Sequence, residues 1–258
     1  MDLGLENRVV LVAGSSRGIG KATAYAFLKE GCRTVITGRD EDSLLKTQEE
    51  FEIEFGKERV IAFKGDLRDP EVIKDTLKKI YLNWKTLDCI VANIGSGRGK
   101  TGWDLSESDW QNFFEINLSS SVRLATLALP EMIQSRRGSI VFIASIVGVE
   151  STNAPLPYSA AKAALLNFCK NLSRQTGPFN VRVNCVAPGN ILFPGGSWEK
   201  HLTARKDEIM QFINSEVPLQ RFGQPQEIAD LIVFLSSDRA SFIHGACVIA
   251  DGGQTRAI

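Results

Sequence analysis

Tyr158 and Lys162 stand four residues apart in a run, Tyr158 to Phe168, whose apolar spacing predicts a helix. Side chains at that separation share one helical face. A phenol with an ammonium beside it has its anion stabilised, so its pKa is expected to fall from about 10 toward neutrality. Such a phenol can give or take a proton near neutral pH. A Tyr and a Lys at this spacing also occur on ordinary amphipathic helices, so the pair carries chemistry only in company. Ser145 is the first candidate companion. It follows an apolar strand predicted over Ser139–Ala144, and in an open parallel sheet ligands bind outside the carboxyl ends of the strands.

The elements that position these groups are read in the flanking chain. Val9–Ala13 is a short continuous apolar run, the pattern of a strand buried on both faces. Gly14-Ser15-Ser16-Arg17-Gly18-Ile19-Gly20 follows at once, then a helical pattern over Lys21–Glu30 stopped by Gly31, and a second strand over Arg33–Thr37. Strand, glycine turn, helix and strand make a βαβ unit with a right-handed crossover. Gly14 permits the tight turn. Gly18 and Gly20 remove side chains where a pyrophosphate and the sheet approach the helix start, and the free amides there favour an anion. The residue after the second strand separates the cofactors: an acid suits the ribose 2′-hydroxyl of NAD, a base the 2′-phosphate of NADP. This chain has Arg39 there, with Arg17 in the turn as a second cation. Forked guanidinium donors match a phosphate, so NADP(H) is the preferred cofactor. Asp40 and Glu41 come next and keep NAD(H) possible.

Further strands are predicted over Val60–Phe63, Leu87–Ala92, Val181–Ala187 and Cys247–Ala250. Helical patterns lie between them, over Asp42–Phe55, Pro70–Trp84, Ser106 through Asn117 toward Met132, and Pro225–Ser236. The alternation predicts an α/β, Rossmann-type doubly wound parallel seven-stranded sheet with helices on both faces. One domain is expected over residues 1–258. Ser106 and Asp109 form a capping-box start. Residues 191–216, long for a loop and helical in the middle, are expected to act as a substrate lid, with Trp198 and Phe193 placed to stack on a substrate ring or to pack. Arg98 and Lys100 are either solvated or offered to an anionic substrate.

Composition narrows the partners. Thirty basic residues balance thirty acidic ones, which argues against a general nucleic-acid binder. The five cysteines, Cys32, Cys89, Cys169, Cys185 and Cys247, lie in apolar contexts without a CxxC pair and read as buried free thiols. His201 and His244 have no ligand cluster around them, so no metal site is expected. The first residues lack a basic stretch followed by an apolar one, and no apolar run approaches a membrane span. A cytoplasmic location without membrane partners is expected.

In order along the chain, these features resemble the short-chain dehydrogenase/reductase family, in its single-domain branch with 3-oxoacyl-(acyl-carrier-protein) reductase-like members. The glycine turn is similar to the family's TGxxxGxG, with Ala13 in place of Thr. Asn93-Ile94-Gly95 matches its NNAG segment at Asn93 and Gly95. Ser145, Tyr158 and Lys162 match its catalytic set, and Pro188-Gly189 its PGxxxT, with Phe193 in place of Thr. The resemblance implies an oxidoreductase that moves a hydride between NADP(H) and a carbonyl or secondary alcohol, 3-oxoacyl-thioester-like or sugar/polyol-like. It makes Asn117 a fourth catalytic group, bending its helix and holding a water that relays protons to Lys162. It also implies that Gly14, Ser16, Arg17, Gly18 and Ile19 hold the pyrophosphate, Arg39, Asp66 and Leu67 the adenosine end, and Asn93, Gly95, Tyr158, Lys162, Pro188, Gly189 and Ile191 the nicotinamide end. Ser145, Tyr158 and Trp198 are the candidate substrate contacts. A homodimer or homotetramer is expected. The alternative class is a non-catalytic NAD(P) sensor or an oligomeric scaffold on the same fold, whose mark would be a broken Ser/Tyr/Lys set.

Overall fold

Four consecutive buried apolar residues form β1 (Val9–Val12), and the sheet grows outward from it on both sides. In the computed structural model, which describes residues 1–256, the further strands are β2 (Arg33–Gly38), β3 (Val60–Lys64), β4 (Cys89–Ala92), β5 (Gly138–Ile143), β6 (Val181–Pro188) and β7 (Cys247–Ala250). Their order is β3-β2-β1-β4-β5-β6-β7, with every neighbouring pair parallel.

Helices α1 (Gly18–Lys29), α2 (Glu41–Phe55) and α9 (Pro225–Ser236) bury their apolar stripes on one face of the sheet, against Val10, Val12 and Ile36. On the other face α3 (Pro70–Trp84), α5 (Ser120–Ser135) and α6 (Leu156–Thr176) pack on Val9, Leu11, Ile90 and Ile140. Neighbouring strand residues thus enter opposite cores, which is why the strands read as unbroken apolar runs. Each fully buried aliphatic side chain contributes about 1.5–3 kcal/mol. The chain winds outward from β1 to β3, then crosses to β4 on the other side of β1. The crevice outside the carboxyl ends of β1 and β4 is therefore the topological switch point. The glycine turn, Asn93, Ser145 and Gly189 all follow strands that end there.

Several boundaries differ from the sequence pattern. Helix α6 starts at Leu156, because Pro157 is tolerated in a first turn. Helix α3 is capped by Asp69, whose carboxylate accepts the Glu71 N–H at 2.8 Å. The capping box at Ser106 and Asp109 opens α4 (Glu107–Phe114), but the helix does not continue unbroken toward Met132. A π turn, Glu115–Ser119, separates α4 from α5. Residues 191–216 carry α7 (Ser197–Ala204) and α8 (Lys206–Glu216). Four of the cysteines are buried as expected, whereas Cys247 is exposed, because β7 is an edge strand. Among the described residues no helix is long and apolar enough to cross a membrane, and no cluster of ligating side chains suits a metal.

Candidate active site

The glycine turn is tightly packed. Gly14 and Gly18 sit at φ +64° and +57°, a region that costs other residues strain. A Cβ on Gly14 would stand 2.8 Å from the Asn93 carbonyl oxygen, and one on Gly20 would stand 2.6 Å from Asn93 Nδ2. Asn93 Nδ2 donates to the Gly14 carbonyl at 3.0 Å. Buried Ser15 stitches the turn to β2: its Oγ donates to the Val12 carbonyl (2.7 Å) and accepts the Thr37 N–H (2.9 Å). No side chain caps the start of α1, so its first amides face the switch point without a side-chain partner. An anion there meets both the amides and the helix dipole. Ser15 was not singled out in the sequence, since a serine in a glycine turn reads as solvent-facing and its partner lies 22 positions away.

The acids after β2 are already committed. Asp40 accepts the Ser43 N–H at 2.9 Å, and its hydrogen bonds from Ser43 hold its carboxyl below the usual range. Glu41 pairs with Lys64 at 2.6 Å. Asp66 is gripped by Arg68 at 2.5 Å, with Arg39 at 3.9 Å. The Arg68 bonds come first among the causes that hold its carboxyl low. Arg39 and Arg17 are thus the cations at this end of the turn, and the charge of Arg17 reaches Asp40.

On the other side of the switch point, Lys162, Asn117 and Gly95 converge. Lys162 is buried, and its Nζ donates to the carbonyl of Ile143, the last residue of β5, at 2.7 Å. A Cβ on Gly95 would lie 3.0 Å from Asn117 Oδ1 and 3.1 Å from Lys162 Nζ, so the close approach requires glycine. Asn117, fully buried in the π turn, accepts the Ser96 N–H through Oδ1 (2.8 Å). Its Nδ2 donates to the carbonyls of Ser96 (3.1 Å) and Phe113 (3.0 Å). The Tyr158 ring lies 6.0 Å from Lys162 Nζ and packs beside Gly97, and Ser145 hydrogen-bonds the Tyr158 side chain. The four residues therefore share one place at the strand ends.

The electrostatics differ from the expectation for a Tyr beside a Lys. Burial raises the Tyr158 phenol above its ordinary value, and the Ser145 hydrogen bond opposes that. Burial likewise pushes the Lys162 amine down, to about 8. Desolvation disfavours both charged forms.

The segment after β6 brings its aromatic residues together. Trp198 stacks on Phe212 (5.9 Å, 16°) and packs against Phe222 and His201. The Phe193 ring lies on the glycine turn, 2.7 Å from where a Gly18 Cβ would stand. Arg98 donates to the Gly195 carbonyl (2.7 Å) and to Ser197 Oγ (3.2 Å), and Arg17 reaches the same carbonyl at 3.3 Å. Lys100 pairs with Asp109 at 3.1 Å. The main chain on either side of Ile191 is pinned to Gly223: Leu192 N–H donates to its carbonyl (2.9 Å) and its N–H donates to the Asn190 carbonyl (2.9 Å). Gly189 lies against Asp251, where a Cβ would stand 2.7 Å from its side chain.

Residues 13–255 match the profile of the family described as Enoyl-(acyl carrier protein) reductase. The 3-oxoacyl-(acyl-carrier-protein) reductase FabG of Aquifex aeolicus is 35% identical over 98% of this chain and 100% of its own. The enzyme of that name from Thermotoga maritima is 34% identical over 96% of this chain and 98% of its own. The chain is a short-chain dehydrogenase/reductase. The crystal structure of L-sorbose reductase from Gluconobacter frateurii, complexed with NADPH and L-sorbose, superposes with a TM-score of 0.94 at 33% identity, each chain covered in full. A 7α-hydroxysteroid dehydrogenase complexed with NADH and 7-oxo glycochenodeoxycholic acid gives 0.90 at 27% identity, over 99% of this chain and 97% of its own.

As a short-chain dehydrogenase/reductase the chain is an oxidoreductase acting on C–OH and C=O groups. Its buried lysine has a measurable consequence for stability. The folded-state pKa of Lys162, about 8, lies below the ordinary 10.5. Between the two values the unfolded chain binds the extra proton, so stability rises with pH across that window. The cost of the buried ammonium is full below the folded value and is relieved as pH climbs through it. Lys162→Met removes the titration. The unfolding free energy of the cofactor-free wild type, minus that of the variant, is expected to rise by about 2 kcal/mol between roughly pH 7 and roughly pH 9.5. Denaturant melts at each pH measure it, and a flat difference contradicts the burial assignment.

Proposed function

We propose that this short-chain dehydrogenase/reductase is an NADP(H)-dependent carbonyl reductase acting on a small 3-oxoacyl-thioester-like or sugar/polyol-like substrate. The observation that carries the reading is the convergence of Ser145, Tyr158, Lys162 and Asn117 at the strand ends, across the switch point from the uncapped glycine turn. An intact set of this kind favours catalysis over the sensor or scaffold alternative.

The turn suits a dinucleotide. Its glycines let the turn pack closely on Asn93 and Phe193, and its amides suit a pyrophosphate beside Ser16, Arg17, Gly18 and Ile19. Arg17 and Arg39 would hold a 2′-phosphate, the nearby acids being engaged elsewhere. Asp66 and Leu67 would border the adenine. Asn93, Gly95, Tyr158 and Lys162 would border the ribose, and Pro188, Gly189 and Ile191 the nicotinamide. A bound nicotinamide supplies the hydride.

The chain's own residues do the rest. Ser145 donates to the substrate oxygen and steadies the charge that develops on it. Tyr158 gives that oxygen its proton; a phenol held protonated by burial suits the reductive direction. Lys162 orients the phenol's surroundings and holds the cofactor ribose. Asn117 fixes Ser96, and with it the glycine approaches at Gly95 and Gly97, against Lys162 and Tyr158. The single domain carries residues 191–216 as a lid, latched in this conformation by Arg98 and Arg17 on Gly195. We assign the working form to a cytoplasmic homodimer or homotetramer, a reading supported by the exposed apolar Leu156, Phe179 and Phe242.

A panel of 3-oxoacyl thioesters, ketoses and cyclic ketones, followed by loss of reduced-nicotinamide absorbance with NADPH and NADH in parallel, tests the reading. Turnover with at least one ketone class, faster with NADPH, is expected. No turnover across the panel, or a preference for NADH, counts against it.

A further inference from the structure

Cys185 and Cys247 are register partners on β6 and β7. Directly opposed residues on neighbouring parallel strands project to the same face, and the strands run about 4.8 Å apart. That separation falls within the roughly 4.4–6.8 Å between Cα atoms that a disulfide spans. Cys185 Sγ donates to the Val186 carbonyl at 3.8 Å, and Cys169 from α6 is buried in the same core. Access differs sharply along this line: Cys169 and Cys185 are buried, whereas Cys247 is exposed on the sheet edge. The other two thiols, Cys32 and Cys89, are buried beneath the opposite face.

We propose that Cys247 and Cys185 form an oxidation site at which a hydroperoxide converts the thiol pair into an intrachain disulfide. The exposed sulfur reacts first. The Cys247 thiolate attacks a peroxide oxygen, the O–O bond breaks, and Cys247 becomes a sulfenic acid while hydroxide leaves and is protonated to water. The Cys185 sulfur then attacks the Cys247 sulfur. The S–O bond breaks, the S–S bond forms, and the departing oxygen carries off the Cys185 proton as a second water. Overall two thiols lose two electrons and two protons, and one hydrogen peroxide is reduced to two waters. The surroundings fit this order. Cys185 lowers the Cys247 thiol from its ordinary value, while the neighbouring thiols and burial keep Cys185 protonated. An exposed thiol beside a buried one is the arrangement of an attacking and a resolving pair. The pair also borders the catalytic set: Cys185 pairs with Phe142, next to the Ile143 carbonyl that takes the Lys162 amine.

The test treats the intact protein with equimolar hydrogen peroxide, alkylates the remaining thiols in denaturant and maps the peptides by mass spectrometry. Free thiols are expected to fall by two from the five in the chain, with the Cys185 and Cys247 peptides linked and both thiols restored by dithiothreitol. Cys247→Ser, at an exposed position, is expected to fold as the wild type by circular dichroism and to lose no thiol at the same dose. Cys185→Ser is expected to stop at a Cys247 sulfenic acid that dimedone traps. Loss of Cys247 in the wild type without a linked Cys185 peptide overturns the proposal. So does a Cys247–Cys247 link between two copies, or loss of Cys185 in the Cys247→Ser protein.

Discussion

Tyr158→Phe lowers kcat for ketone reduction by roughly 10²–10⁴-fold while leaving NADPH affinity within a few-fold of wild type. The range is the usual contribution of a positioned general acid. The substitution removes only the hydroxyl, so the ring that packs beside Gly97 stays and the helix is undisturbed. Steady-state kinetics on the best ketone of the panel give kcat, and NADPH fluorescence titration gives the affinity. A residual rate within about ten-fold of wild type would remove Tyr158 from the proton step. A parallel loss of NADPH binding would mean that the hydroxyl holds the cofactor instead. Ser145→Ala belongs to the same experiment, because its hydrogen bond to Tyr158 opposes the burial that raises the phenol. Without it the ascending, acid-side limb of the pH profile for alcohol oxidation is expected to move to higher pH, since the phenolate loses a supporting donor.

The second large effect concerns the choice of cofactor. Arg17→Ser combined with Arg39→Asp lowers kcat/KM for NADPH by about 10²–10³-fold and leaves that for NADH within a few-fold. A charge-assisted hydrogen bond contributes about 1.5–3 kcal/mol, and roughly 1.4 kcal/mol is a factor of ten. Two guanidiniums at the site therefore account for two to three powers of ten after allowance for the exposure of Arg39, about two-thirds solvent-accessible at 66%. Asp40 cannot rescue NADPH binding, and as the cap of α2 it is held by Ser43 rather than offered to a ribose. The preference for NADPH should also weaken as salt rises, since exposed charge pairs are screened. An unchanged NADPH preference in the double variant would place the 2′-phosphate elsewhere.

The sheet was legible because its strands are buried on both faces. Val9–Val12 and Cys247–Ala250 stand where the apolar runs put them, and Pro225–Ser236 begins at its proline. The glycine turn was legible for the same local reason: backbone conformation is written in the residue type. What escaped was every property that depends on a distant partner. Lys162 meets the carbonyl of Ile143, a backbone atom with no side-chain signature, and the burial of Tyr158 itself raises a pKa that was expected to fall. Trp198 finds Phe212 and Phe222, and Phe193 finds Gly18. Cys247 has the apolar neighbours of a core residue, yet the strand order leaves β7 at an edge. Side-chain destinations across the sheet follow from topology, and topology is not a local property of the chain.

The π turn at Glu115–Ser119 sets a constraint on insertions and deletions. An α-helix advances about 100° per residue, so one residue more or fewer there rotates everything downstream by that angle. Upstream, Ser106 and Phe113 fix how α4 arrives; downstream, Leu124, Ala125, Ala128 and Met132 must all meet the sheet. Shortening the turn to a regular helix would put either Asn117 or that apolar stripe out of phase. The wide turn is the length correction that lets one continuous stretch of helix serve a polar centre and a dry core in the same pass.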